Sequence, residues 1–375
     1  MVSCSLFYKT LTEKGIDFFA GVPDSLLKNF CAYVTDHAPE NKHIIAANEG
    51  AAVALACGYH LATGKTGLVY MQNSGQGNAI NPLVSLADPQ IYAIPVLLLI
   101  GWRGEPGKKD EPQHIKQGII TLSLLDTLNI PYKLLPDTDE QAAACLDEIF
   151  TLMQKKQSPT AIVVRKGVFE DYKLQKNIEH TFELTREDAI KLLVDNLEPS
   201  DVIVSTTGKT SRELYEYREQ TDREHSRDFL TIGSMGHTSQ IAMGIAMSKP
   251  NRQVFCFDGD GAVIMHMGAL ATIGSRSLPN FKHIIFNNGS HDSVGGQPTV
   301  GFSISFVKIA QACGYKLAVQ AQTRDEVLKQ ISVLKNTPGP ALLEIKIRKG
   351  ARTELGRPQI SQEETKKKFM KFLNK

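Results

Sequence analysis

The sequence predicts an α/β protein of two similar domains, each a mainly parallel sheet with helices on both faces. Three observations carry this expectation. Short β-branched runs alternate with helix-length amphipathic segments from one end of the chain to the other, the pattern of parallel strands covered by helices. With 375 residues, 42% of them apolar and 22% charged, the chain can bury two cores of ordinary domain size. Nearly every predicted strand ends in a stretch rich in Gly, Asn, Ser or charge, where open sheets hold ligands.

In the first half the strands are HIIAA (43–47), GLVYMQ (67–72), PVLLLIG (95–101) and TAIVVR (160–165), with helices between them. One of these is a small-residue helix from Glu49 to Ala62. Residues 166–184 are polar and weakly periodic, and the next helix opens with Thr185 as N-cap ahead of Arg186, Glu187 and Asp188. The expected division is therefore a first domain over 1–165, a linker over 166–184 and a second domain over 185–375. Strands in the second half are DVIVST (201–206), DFLTIG (228–233), VFCFD (254–258), FKHIIFN (281–287), YKLAVQ (315–320) and ALLEIKI (341–347). A helix from Ala262 to about Gly274 precedes FKHIIFN. The halves share this rhythm without a residue-level repeat.

No apolar run approaches the ~18 residues of a membrane span, and the start, MVSCSLFYKTLTEKG, lacks a signal peptide's apolar stretch. A cytoplasmic location is expected. Cys4, Cys31, Cys57, Cys145, Cys256 and Cys313 stand singly, without a CxxC pair, and read as reduced core residues. A net charge of +2 spread along the chain gives no reason to expect nucleic acid or a membrane surface as partner.

Two strand ends suggest phosphate chemistry. TTGKTS (206–211) ends like a P-loop, but that motif needs glycine at 203 and Ile203 stands there, which argues against a nucleoside triphosphatase. Asp258 and Asp260 form a DxD, as in phosphatases with an aspartyl nucleophile. That nucleophile normally lies on a domain's first strand, and this pair lies deep in the second half.

Gly259-Asp260-Gly261, then 25 residues holding a helix and a strand, then Asn287-Asn288, resembles the signature of thiamine-diphosphate enzymes. The resemblance implies two thiamine-diphosphate-binding folds: a pyrimidine-binding domain first and a diphosphate-binding domain second. Magnesium prefers octahedral oxygen ligands shared with a diphosphate. The implied set is the Asp260 carboxylate, the Asn288 amide oxygen, the Ser290 carbonyl, two diphosphate oxygens and a water. Gly259, Gly261 and Ala262 would bring backbone N–H groups to the phosphates. NEGAA (48–52) resembles the segment whose glutamate, here Glu49, bonds the pyrimidine ring and drives formation of the reactive ylide. GSMGH (233–237) resembles the loop in which Met235 props the cofactor, with Gly233 and Ser234 beside the pyrimidine amino group. STTGKTS resembles the loop under the diphosphate, with Gly208 and Lys209 nearest. Taken singly, Glu49 reads as a helix-start acid, Met235 as core and STTGKTS as a helix start.

GVPDSLLK (21–28), WRGEPGKKDEPQH (102–114), STTGKTSREL (205–214) and NNGSHDSVGGQPTVG (287–301) together resemble the phosphonopyruvate decarboxylases, and less closely the sulfopyruvate decarboxylases. What this implies is a carboxy-lyase that converts 3-phosphonopyruvate to phosphonoacetaldehyde and carbon dioxide in phosphonate (2-aminoethylphosphonate) biosynthesis. It also implies a homodimer or larger homo-oligomer with active sites between subunits. A substrate with about three negative charges needs cations or N–H donors. Arg103, Lys108, Lys109, His114 and Lys116 cluster on one loop, and His291 and Ser293 follow the metal turn. Asp24, Ser25, Arg103, His114, His291 and Ser293 are the expected substrate contacts, with His114 or His291 moving protons. Outside this class, a magnesium-dependent phosphoryl-transfer enzyme would leave Glu49 without a role, and an inactive cofactor-binding subunit should lack it.

Overall fold

The structure is a computed structural model and describes residues 1–176, 180–221, 223–358 and 360–375. The chain divides into two compact units, Met1–Asn177 with Ser293–Gln297, and Ile178–Asp292 with Pro298–Lys375.

In chain order the first unit runs α1 (Cys4–Glu13), β1 (Phe18–Gly21), α2 (Lys28–His37), β2 (His43–Ile45), α3 (Glu49–Thr63), β3 (Gly67–Gln72), α4 (Gln76–Pro82), β4 (Val96–Gly101), α5 (Pro112–Thr127), β5 (Tyr132–Leu134), α6 (Asp139–Lys156) and β6 (Thr160–Val164). Its six strands pair in parallel in the order β2-β1-β3-β4-β6-β5. Strand residues alternate between two cores. Phe19, Leu68, Tyr70, Leu97, Leu99, Ile162 and Val164 meet α1, α2 and α6 through residues such as Phe7, Leu11, Phe30, Leu146 and Ile149. Phe18, Ala20, Val69, Met71, Leu98, Ile100 and Val163 meet α3, α4 and α5 through Ala52, Val53, Ala56, Ala79 and Leu125. Each buried large side chain contributes about 1.5–3 kcal/mol of transfer free energy, which is why these strands read as continuous apolar runs.

The second unit runs α7 (Arg186–Asp195), β7 (Val202–Ser205), α8 (Lys209–Gln220), β8 (Asp228–Leu230), α9 (Thr238–Ser248), β9 (Val254–Gly259), α10 (Asp260–Met265), α11 (Gly268–Arg276), β10 (Phe281–Asn287), α12 (Phe306–Ala312), β11 (Leu317–Ala321), α13 (Arg324–Asn336), β12 (Ala341–Lys346) and α14 (Gln362–Leu373). The sheet order is β11-β12-β10-β9-β7-β8, again all parallel. It too has a core on each face, one with α7, α8 and α13 and the other with α9, α11, α12 and α14. The expected N-cap is present: Thr185 accepts from the Asp188 N–H while the Asp188 side chain accepts from the Thr185 N–H, a capping box.

The structure departs from the sequence reading in two places. Strands β1 and β5 were not expected; FFAG and YKL are four and three residues long, too short to show a period. The single helix expected from Ala262 to about Gly274 is two, α10 and α11, interrupted at His266 and Met267. The stretch expected as a polar linker, 166–184, is tied down at both ends. Val168 and Phe169 are buried in the first unit's core, where Phe169 bridges Val2, and Leu184 is buried in the second's. Residues 177–179 of that stretch lie outside the described residues.

Candidate active site

Chemistry-bearing side chains gather at the carboxyl ends of the strands in each unit. In the first unit, Asn48 caps α3 by accepting from the Ala51 N–H at 2.9 Å, which makes Glu49 the first helical residue. Glu49 is 5% exposed. Its Oε2 accepts from the Asn78 amide at 2.8 Å, and a Cβ on Gly75 would come within 2.2 Å of its Oε1. Only a bare backbone at Gly75 leaves this carboxylate its place.

On the turn after β1, Asp24 is fully buried and accepts from the Leu26 and Leu27 N–H groups at 2.9 and 3.3 Å and from Gln72 Nε2 at 2.7 Å. Burial raises its pKa despite these donors. Ser25 accepts from Arg103 Nη1 at 2.8 Å. Arg103, at the end of β4, is otherwise committed to Asp110. Its Nε donates to Asp110 Oδ2 at 2.8 Å, its Nη2 donates to Oδ1, and the Gly104 and Glu111 N–H groups donate to the same carboxylate at 2.8 Å each. Although its partial burial opposes ionisation, these donors hold the Asp110 carboxyl well below the usual carboxylate range. The loop expected to gather cations therefore holds them in two states. Its guanidinium is already neutralised, while Lys108, Lys109 and Lys116 are exposed. His114 lies in the first turn of α5, its carbonyl against Gly104, whose φ of 69° only glycine adopts easily.

In the second unit the register sets the geometry. β9 and β10 are parallel neighbours with Gly259 beside Phe286, so Asp260 and the Asn287–Asn288 pair leave adjacent strands at the same end. Asp260, 3% exposed, opens α10. Thr299 Oγ1 donates to its Oδ2, and a Cβ on Gly301 would lie 2.6 Å from that oxygen. Burial lifts the Asp260 pKa to about 6 even against hydrogen bonds from Thr299 and the Asn288 and Gly261 backbone. Asn288, 4% exposed, accepts from the Ser290 N–H at 3.0 Å. Ser290 is buried, and its Oγ has no hydrogen-bond partner among the described residues. Asn287 is structural: its amide donates to the Gly301 carbonyl at 2.8 Å and to Glu344 at 2.7 Å, joining β10 to β12.

Other expected residues of this unit converge here. A Cβ on Gly261 would meet His291 Cε1 at 3.2 Å and Met235 Cε at 3.5 Å. Burial lowers the His291 pKa to about 4, so its imidazole is neutral near pH 7. On the Gly233–Met235 loop, Ser234 is exposed at a φ of 54°. Gly208 precedes α8 at a φ of 91°, and Lys209 Nζ donates to Asp292 Oδ2 and to the Asp292 carbonyl, both at 3.2 Å. Gly259 is the N-cap of α10, and Ala262 is buried within it. Ser293, expected beside His291, is exposed and falls in the first compact unit.

The sequence reading missed Thr299, Gly301, Asp110 and Asp292 as partners. Each acts through a contact that no spacing announces. It also missed a buried pair beneath the turn: His283 Nε2 lies 3.6 Å from Asp258 Oδ2, while Asp258 Oδ1 accepts from the Gly259 N–H at 3.0 Å. Their ligating atoms and that of Cys256 lie within 4.8 Å of one another, all buried. Asp258, 1% exposed and facing a histidine, is not presented as the second carboxylate of a phosphoryl-transfer pair.

Comparison with known proteins gives this geometry its context. Residues 3–126 match the thiamine pyrophosphate enzyme N-terminal TPP binding domain, and residues 206–345 match the thiamine pyrophosphate enzyme C-terminal TPP binding domain. The chain is 34% identical to a phosphonopyruvate decarboxylase of Streptomyces hygroscopicus, over 99% of this chain and 94% of that one. It is 33% identical to one of Streptomyces viridochromogenes, over 100% and 95%. A sulfopyruvate decarboxylase of Methanosarcina acetivorans is 28% identical over 97% and 96%. No described helix is long and apolar enough to cross a membrane. The chain belongs to the thiamine pyrophosphate enzymes, in the group of 2-oxo acid decarboxylases that contains the phosphonopyruvate decarboxylases.

Proposed function

We propose that this chain decarboxylates 3-phosphonopyruvate to phosphonoacetaldehyde and carbon dioxide, with thiamine diphosphate and Mg2+, as a step of phosphonate biosynthesis. The observation that carries the reading is the 34% identity, across 99% of the chain, to a protein named phosphonopyruvate decarboxylase. The residues present fit the cofactor and its ion. Asp260 is a buried carboxylate with no cation paired to it among the described residues. Its neighbours Asn288 and Ser290 add oxygen donors of the hard kind that Mg2+ selects. In this reading Asp260, Asn288 and the Ser290 carbonyl hold the ion. The turns at Gly208–Lys209 and Gly259–Ala262 face the diphosphate, and Gly233, Ser234 and Met235 orient the ring system.

Bound thiamine diphosphate supplies the electron sink for the carbon–carbon bond that breaks. The chain supplies placement, exclusion of water and proton control. Glu49, buried and held by Asn78, is placed to share a proton with the pyrimidine ring. His291, neutral near pH 7, and His114 are the two candidates for handling the proton that replaces carbon dioxide. Ser25 accepts from Arg103 at 2.8 Å and makes a long 3.5 Å contact as donor to Asp24 Oδ1, a weak bond that a substrate oxygen can replace. With Arg103 neutralised by Asp110, the phosphonate is met chiefly by hydrogen-bond donors, with Ser293 and the exposed lysines at the rim. The same reading has the chain work as a homodimer or larger homo-oligomer in the cytoplasm. Sedimentation velocity tests the assembly.

The sulfopyruvate decarboxylase relative supports a second reading in which a sulfonate replaces the phosphonate. Carbon dioxide release over a panel of 2-oxo acids, with and without thiamine diphosphate and Mg2+, separates the two. The expected order of kcat/KM is phosphonopyruvate, then sulfopyruvate, then pyruvate. Equal values for pyruvate and phosphonopyruvate would overturn the substrate assignment.

A further inference from the structure

Lys209 belongs to a set of four charges in the second unit, linked to one another among the described residues. Its ammonium donates to the carboxylate and to the main-chain carbonyl of Asp292, each at 3.2 Å. Asp292 also faces Arg186 Nη1 at 3.6 Å. Arg186, 6% exposed, is fixed in turn by Glu213 through bonds of 2.7 and 3.0 Å, and Glu213 is 1% exposed. Two cations meet two carboxylates, so the set carries no net charge. A lysine that left this set for a phosphate would leave Asp292, its side chain only 14% exposed, facing a guanidinium already committed to Glu213. Leaving a carboxylate so enclosed and poorly paired is unfavourable.

Asp292 follows Asn288 and Ser290 on the same turn. A grip on both its carboxylate and its carbonyl fixes where that turn leaves β10. We infer that Lys209 is a positioning residue: it holds Asp292, and through it the oxygen donors of Asn288 and Ser290, rather than neutralising the diphosphate itself. The inference rests on the cofactor reading above and assigns Lys209 a different task within it. The fixed partner in the set is Arg186, whose burial and bidentate bond to Glu213 make the anchor rigid.

The test is a double-mutant cycle read by calorimetric titration of the apo protein with Mg2+ at fixed thiamine diphosphate. Lys209→Met and Asp292→Asn should each weaken Mg2+ binding about tenfold, the scale of one charge-assisted hydrogen bond. The double variant should be no weaker than the weaker single, because both remove one interaction. Asp292→Glu, which keeps the charge, should recover most of the affinity, an outcome that a general loss of packing would not give. Thermal melts of the apo variants check that the fold persists, and if Asp292→Asn does not fold, the comparison of Lys209→Met with Asp292→Glu decides instead. Effects that multiply in the double variant, or a Lys209→Met protein that loses diphosphate affinity while Asp292→Asn binds normally, would overturn the inference. Wild-type protein that binds no thiamine diphosphate would instead bring down the cofactor reading and the inference with it.

Discussion

Replacing Gly301 by alanine should damage metal binding out of proportion to the one methyl group added. The new Cβ would sit 2.6 Å from Asp260 Oδ2, 2.7 Å from Asn287 Oδ1 and 3.0 Å from Asp260 Cβ, well inside the roughly 3.5 Å of comfortable heavy-atom contact. Neither neighbour can yield cheaply. Asp260 is held by Thr299 and by backbone donors, and Asn287 by Glu344, Gly301 and the Gly289 N–H. Overpacking of this kind costs about 1–3 kcal/mol of stability. If about 2 kcal/mol of the strain is relieved by displacing the Asp260 carboxylate, Mg2+ affinity falls roughly thirtyfold. Calorimetric titration with Mg2+ and thiamine diphosphate, alongside thermal melts, measures both effects. Gly244→Ala on α9 is the control, since its Cβ meets nothing within 4 Å and should leave binding unchanged. A Gly301→Ala protein that melts lower yet binds Mg2+ at wild-type affinity would refute Asp260 as the metal's carboxylate.

Asp260→Ala should abolish Mg2+-dependent binding of thiamine diphosphate in the same titration while leaving the apo protein folded. Binding as tight as wild type would contradict the assignment. Glu49→Gln keeps shape and the bond to Asn78 but removes the ionisable group, so cofactor should still bind while exchange of its thiazolium C2 proton, followed by NMR, slows by orders of magnitude. His43, whose Nε2 meets the Tyr70 hydroxyl at 2.8 Å, has its pKa lowered by burial to about 4. Its folded value lies below its unfolded value near 6.5, so the stability it contributes is present above pH 6.5 and lost as pH falls toward 4. Between pH 7 and pH 5 that loss is up to about 2 kcal/mol; in urea titrations His43→Gln should shrink the wild-type loss over this interval by that amount, and an unchanged difference would mean that the half-buried His43 is not held neutral by the fold.

How much of this was legible in the sequence depends on how local each signal is. Strands β3, β4, β9, β10 and β12 are covered on both faces, so their apolar runs announce them. FFAG and YKL are too short to do so, although β1 lies inside its sheet. The GDG turn and the asparagine pair were readable together because one strand register carries both to the same end of neighbouring strands. Glu49 was singled out by the resemblance of NEGAA to a family segment, while the cap that places it first in α3, Asn48, was not read from the sequence. The sign of the basic loop was not readable. Arg103 looks like a free cation in the sequence, and only folding brings Asp110 back onto it from seven residues away. Thr299 and Gly301 were invisible for the same reason, since they reach Asp260 from some forty residues downstream.

The two sheets have one topology. Numbered from the first strand of each unit, both run 2-1-3-4-6-5, and among the described residues each unit has a hydrophobic core on either face of its sheet. A shared frame without shared side chains separates two kinds of constraint. Interior positions need only volume and periodicity, so they can drift until the kinship of the halves no longer shows in their letters. The turns beyond the strand ends bear almost none of the core's weight and can diverge in purpose, one frame presenting Glu49 and the other Asp260. Substitution in this chain should therefore be tolerated by layer rather than by half: interiors forgiving of apolar exchange, and a thin rim of turns on each frame where a single methyl group, as at Gly75 or Gly301, is already too much.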